Sequence, residues 1–154
     1  MQKYIIIAFM VFGLVILNGC GEDEEELPTT GSVSGTITFM GTPPEGNKEI
    51  QVSIFSVLGE NGFPVGPPDH YSEPFEEFTG KVSYTISGVS FGTYKLAAIG
   101  YENPDSPPGT PETVIGMYGF MPPNDMQSDS FIVSEENPDI TGIDIIADYS
   151  MIKE

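Results

Sequence analysis

Lys81 to Tyr101 reads "KVSYTISGVSFGTYKLAAIGY". Val82, Tyr84 and Ile86 alternate with Ser83, Thr85 and Ser87. That period of two puts apolar side chains on one face of a strand and polar ones on the other. The alternation resumes past Gly92 with Tyr94, Leu96 and Ala98 as the expected inward set. Two half-buried strands around a glycine-punctuated turn are the signature of an all-β chain.

The same pattern recurs on both sides. "GSVSGTITF" places Val33, Ile37 and Phe39 on one face and Ser34, Thr36 and Thr38 on the other. "EIQVSIF" sets Ile50, Val52 and Ile54 against Gln51 and Ser53. Near the end, "SFIVS" and "ITGIDIIAD" read as two more strands, the last with Ile143, Ile145 and Ala147 inward. Gly and Pro break every helix-period window. Pro-Pro stands at Pro43-Pro44, Pro67-Pro68, Pro107-Pro108 and Pro122-Pro123. Proline cannot donate to a ladder, so these pairs stiffen loops and end strands, a simpler role than serving as ligands for proline-binding domains. Asn61-Gly62 is a tight-turn signal, and Asn103-Pro104 and Asn137-Pro138 mark turn starts.

The chain of 154 residues suits one core, and ten Phe and seven Tyr supply large apolar areas to fill it. A formal net charge of −18 with no arginine removes the basic footprint that nucleic-acid binding needs. One cysteine cannot form an internal disulfide, so the fold must stand without cross-links.

"GSVSGTITF", the following "MGTPPEG" and then "YTISGVSFGTYKLAAIGY" resemble the carboxypeptidase regulatory-like (transthyretin-like, prealbumin-like) family. The family shows an early Gly-x-Val/Ile-x-Phe and a later Gly-Val-Pro-Pro-Gly-x-Tyr turn. Here the turn is Gly88-Val89-Ser90-Phe91-Gly92-Thr93-Tyr94, with Ser-Phe in place of Pro-Pro. The resemblance covers about residues 31 to 148 and implies a seven-strand Greek-key β-sandwich. Gly92 is expected to supply the unusual backbone angles of a hairpin connection, with Tyr94 opening the inward set. The family's modules usually act as spacers, stabilisers or adhesion domains, and a fold does not fix a function. Related Cna-B-type modules carry an internal Lys–Asn isopeptide bond. The first strand here lacks Lys and the last lacks Asn, so none is expected.

The N-terminus says where the protein lives. Lys3 precedes an uncharged apolar run, Tyr4 to Leu17, too short for the ~20 residues of a membrane-spanning helix and of signal-peptide length. Leu17-Asn18-Gly19-Cys20 resembles the bacterial lipobox, with Asn18 where Ala or Ser is commoner. The resemblance implies that residues 1–19 are a lipoprotein signal peptide and that Cys20 is acylated as the mature N-terminus, its partner being the lipid bilayer. Two or more acyl chains anchor stably where one holds marginally. Residues 20–30 follow as lipidated Cys and acidic tether, and 31–154 as the β-sandwich domain. The five consecutive acids Glu22 to Glu26 repel one another and stay extended. They also resemble the acidic export signal of some surface-exposed lipoproteins of Gram-negative bacteria, and sorting signal and plain spacer both stay open. The expected location is the cell envelope, at the outer membrane.

Candidate chemistry is sparse. His70 is the single histidine and sits beside Asp69, but no Gly-x-Ser-x-Gly elbow accompanies the pair, so a surface His in a turn is the simpler reading. Calcium takes about six to eight oxygens. Glu102, Asn103, Asp105 and Glu112 are the calcium candidates, with Asp125 and Asp129 as a second set. Prolines interrupt the first loop and no EF-hand spacing is present, so solvated loops are the plainer account. Phe63, Tyr71, Phe75, Tyr118 and Phe120 could stack on a sugar or pack under the loops. The sequence thus points to a non-enzymatic envelope or surface interaction module without cofactor, meeting an envelope protein or a glycan. The alternative is a carbohydrate- or calcium-dependent binding protein.

Overall fold

The computed structural model describes residues 29–43, 50–60, 62–101, 114–119 and 128–151. The signal segment, Cys20, most of the tether and the calcium candidates Glu102, Asn103, Asp105 and Glu112 lie outside the described residues, as do Phe120 and Asp125.

The described chain is all-β. Its strands are β1 (Thr30–Met40), β2 (Ile50–Phe55), β3 (His70–Tyr71), β4 (Lys81–Ser90), β5 (Gly92–Tyr94), β6 (Leu96–Tyr101), β7 (Val114–Met117), β8 (Phe131–Val133), β9 (Asp139–Ile140) and β10 (Ile145–Asp148), followed by a 3-10 turn at Tyr149–Met151. All six strands read from the alternation are present. The first sheet has β1 at its centre, antiparallel to β4 on one side. On the other side β1 runs parallel to β9 along its first half and to β10 along its second. The second sheet runs β3-β2-β6-β7, and β5 pairs with β8 as a separate ribbon. An antiparallel bridge between Tyr118 and Ile145 ties the end of β7 to β10, so the two sheets meet along one side.

One apolar cluster lies between the sheets. Val33, Ile37 and Phe39 of β1, Tyr84 and Ile86 of β4, and Ile143, Ile145 and Ala147 share it with Ile50, Val52 and Ile54 of β2 and with Ala97 and Ile99 of β6. This is the arrangement of a β-sandwich, in which alternate residues of facing sheets fill a common layer. Every inward position read from β1, β2 and the β10 segment is buried, and on β4 Tyr84 and Ile86 are buried with Val82 packed partly buried against them.

β6 is buried on both faces: Ala97 and Ile99 join the main cluster, whereas Leu96 and Ala98 pack with Phe55, Val114 and Met117 in a second one. Tyr94 belongs with Ala97 and Ile99, not with Leu96 and Ala98, because Lys95 separates β5 from β6 and the register restarts. The turn Gly88–Tyr94 is also not a hairpin. β4 pairs with β1 and β6 with β2 and β7, so the chain crosses from one sheet to the other there.

The residue with unusual backbone angles is Gly88, with φ of 69°, and not Gly92. The β1–β4 register slips between Gly31 and Ser32, which leaves Gly88 as the extra residue of a bulge. The slip returns Val89 to the interior, where it is fully buried. Gly88→Ala is expected to cost about 1–2 kcal/mol from its left-handed conformation alone. A Cβ on Gly92 meets nothing within 4 Å, and its φ is ordinary. Gly92→Ala is expected to be neutral or stabilising by up to about 1 kcal/mol. Urea midpoints of the two variants check the pair.

Candidate functional site

Asp69 and His70 adjoin in sequence and part in structure. Asp69 lies just before β3, where its N–H donates to the Ile54 carbonyl at 3.0 Å and its carboxylate accepts the Ser56 N–H. The His70 ring points to the other sheet, where Nε2 accepts the Ser90 N–H at 3.2 Å. Accepting at Nε2 places the proton of the neutral ring on Nδ1. The ring also meets Tyr94 edge-on at 6.0 Å, and the Tyr94 hydroxyl donates to the Ser90 carbonyl at 2.9 Å. Both backbone groups of Ser90 are thus clipped just before the chain crosses between sheets. His70 is half-buried in a short edge strand, which corrects the surface-turn reading. Burial raises the Tyr94 phenol above its ordinary value, and the Asp69 carboxylate adds to the rise.

A second constellation joins β1, β4 and the segment entering β10. The Tyr84 hydroxyl donates to the Ile143 carbonyl at 2.7 Å, and the Ile143 N–H donates to the Ser34 carbonyl at 3.1 Å. The Asp144 carboxylate accepts the Thr36 N–H at 2.8 Å, taking the place of a ladder carbonyl between β9 and β10. Burial pushes the Tyr84 phenol far up, with Asp144 and then Tyr118 adding to it. Tyr149 stacks on Phe39 at 5.8 Å and donates to the Phe78 carbonyl at 2.8 Å; burial pushes it up to about 12.

These phenols are harder to ionise folded than unfolded. Their contribution to stability is therefore whole below the ordinary value of 10.0 and is lost as pH climbs through the folded values. The melting temperature is expected to fall steadily above pH 10. Tyr84→Phe is expected to cost about 1–2 kcal/mol at neutral pH and to flatten that alkaline decline. Thermal unfolding across a pH series measures both.

The candidate sugar-stacking rings divide. Tyr118 meets Phe131 edge-on at 6.3 Å, Phe131 stacks on Tyr94 at 5.5 Å, and Phe75 packs against the main core. Phe63 sits at the tip of the β2–β3 connection, where its carbonyl accepts the Gly59 N–H and Gly62 takes the left-handed conformation expected of the Asn61-Gly62 turn. Tyr71 presents its ring to solvent, 62% exposed. Asp129 donates its N–H to the Tyr118 carbonyl, and its carboxylate lies beside Gly119. Among the described residues, no three His, Cys, Asp or Glu side chains gather as a metal site. No described helix is long and apolar enough to cross a membrane. The Asn137-Pro138 signal falls at the close of a turn, with Ser134 and Asn137 exchanging backbone hydrogen bonds, and not at its start.

Comparison with protein-family models, with curated proteins and with solved structures finds no match. The Ser90 clip and the Tyr84–Ile143 bond are pieces that sequence reading missed. The alternation put Tyr84 inward, and a buried phenol needs an acceptor, so the need for a partner was visible although the partner was not.

Proposed function

We propose that this chain is a bacterial lipoprotein whose acylated Cys20 holds a prealbumin-like Greek-key sandwich in the cell envelope as a non-enzymatic interaction or structural module. The observation that carries the reading is the order of segments at the N-terminus. A lipobox-like Leu17-Asn18-Gly19-Cys20 closes an apolar run, an acidic run follows, and the first strand opens at Thr30. A tether of this length reaches at most ~33–36 Å, enough to lift a folded domain off lipid headgroups. The Asp69 carboxylate and His70 Nε2 each bind a backbone amide, which supports a structural role for the pair.

Cys20→Ala is expected to abolish metabolic palmitate labelling and to release the protein from the membrane fraction. Labelling that persists in the variant would sink the proposal. The acidic run is either a plain spacer or an outward sorting signal. Protease shaving of intact cells, with Glu22 to Glu26 changed to Ser, separates the two roles. The partner of the domain is an envelope protein or a glycan, to be found by co-purification from solubilised membranes.

A further inference from the structure

β4 is an edge strand. Among the described residues β1 pairs along one side of it, and no strand pairs along the other. The Phe39 N–H donates to the Gly80 carbonyl, and bonded pairs recur every second residue along an antiparallel ladder. The backbone groups of Val82, Tyr84 and Ile86 therefore face β1, and those of Lys81, Ser83, Thr85 and Ser87 face away. All four outward residues are exposed. His70 closes the row at Ser90. Edges are normally guarded by proline, a charge or a bulge. Here Lys81 stands at one end, the Gly88 bulge lies past the other, and among the described residues nothing between them pairs with the outward edge.

We propose that β4 pairs antiparallel with β4 of a second copy across a two-fold axis at Tyr84, making one continuous sheet of the two first sheets. Outward-bonding residues must face each other, which sets Ser83 opposite Thr85 and Lys81 opposite Ser87, each pair occurring twice by symmetry. Ser–Thr cross-strand pairs are favourable, and the two lysines stay at opposite ends. The charge distribution selects a second copy as the occupant. Copies of a chain carrying −18 repel over most of their surface. Thr79 through Tyr101 holds two lysines and no acid, so contact is least opposed along β4. The small hydroxyl side chains of the row form no pocket to read a foreign peptide, whereas its length and bonding pattern match themselves.

The pairing does not depend on the lipid anchor, and palmitate labelling at Cys20 has no bearing on it. Sedimentation equilibrium of the full chain in density-matched detergent is expected to give the mass of two copies. Thr85→Pro removes an outward N–H and no ladder bond, so a folded single copy is expected. Thr85→Lys places a charge inside the row and is expected to give the same mass, deciding the matter if the proline variant does not fold. A native chain that sediments as one copy overturns the proposal. So does a two-copy mass that persists in folded Thr85→Lys. A single-copy native chain whose Ser83 and Thr85 amides resist hydrogen exchange only in isolated membranes would assign the edge to a foreign strand, and overturns it equally.

Discussion

Ile37→Asp is expected to abolish the cooperative thermal transition, and Ile86→Asp to do the same. Ile37 is fully buried in the second half of β1, with Val82 beside it on β4 and Ile145 on β10. Its burial contributes about 1.5–3 kcal/mol, which the substitution forfeits. The new carboxylate must then be desolvated without a partner or take up a proton, at a further cost of several kcal/mol. Domains of this size are stable by about 5–15 kcal/mol, so the sum removes much or all of the margin. Ile132→Asp is the control. Ile132 lies between two buried neighbours on β8 but is itself 59% exposed. Its replacement is expected to move stability by no more than about 0.5 kcal/mol. Circular dichroism melts of the three variants test the inward faces, and an unchanged transition in both interior mutants would refute them.

What could be read before the structure follows a physical line. β1, β2, β4 and the approach to β10 each have a polar face, so their alternation is unambiguous and their inward residues are buried or packed against the core. β6 and β7 are buried on both faces, which erases the alternation. In "LAAIGY" the period of two therefore points to one inward face where both are buried, and "VIGM" carries no polar face to mark it as a strand. Topology is silent in a period of two, because the pattern tells a strand which way to face and not which strand to join. Hence the parallel pairing of β1 with β10 and the crossing at Gly88–Tyr94 appear only in three dimensions. The same holds at Asp69-His70. Neighbours in an extended chain point to opposite faces, so sequence adjacency worked against a dyad from the start.

Gly35→Ala is expected to cost about 3–5 kcal/mol, from one added methyl group. Gly35 holds an inward position between Val33 and Ile37, opposite Tyr84 on β4. On its other side the chain passes from β9 to β10 with one residue more between Ile140 and Ile145 than β1 has between Val33 and Ile37. The surplus bows inward and lays the Ile143 carbonyl against Gly35. A Cβ there would run into that carbonyl's oxygen and carbon, far closer than the 3.0 Å below which something must shift. A glycine inside a strand often marks such a close backbone approach. The carbonyl cannot simply swing aside, because it holds the Tyr84 hydroxyl, its own residue's N–H holds Ser34, and Asp144 next to it holds Thr36. Moving it breaks the buried Tyr84 hydrogen bond at about 1–3 kcal/mol and strains the other two, on top of about 1–3 kcal/mol of overpacking strain. Gly116→Ala, whose Cβ would meet the Ile146 carbonyl, is expected to behave alike. The urea midpoint measures the loss, and a double-mutant cycle tests its cause. Tyr84→Phe frees the Ile143 carbonyl, so Gly35→Ala should cost less in that background than alone. Strict additivity would mean that the hydroxyl does not pin the carbonyl, and that the cost at Gly35 lies in the backbone clash itself.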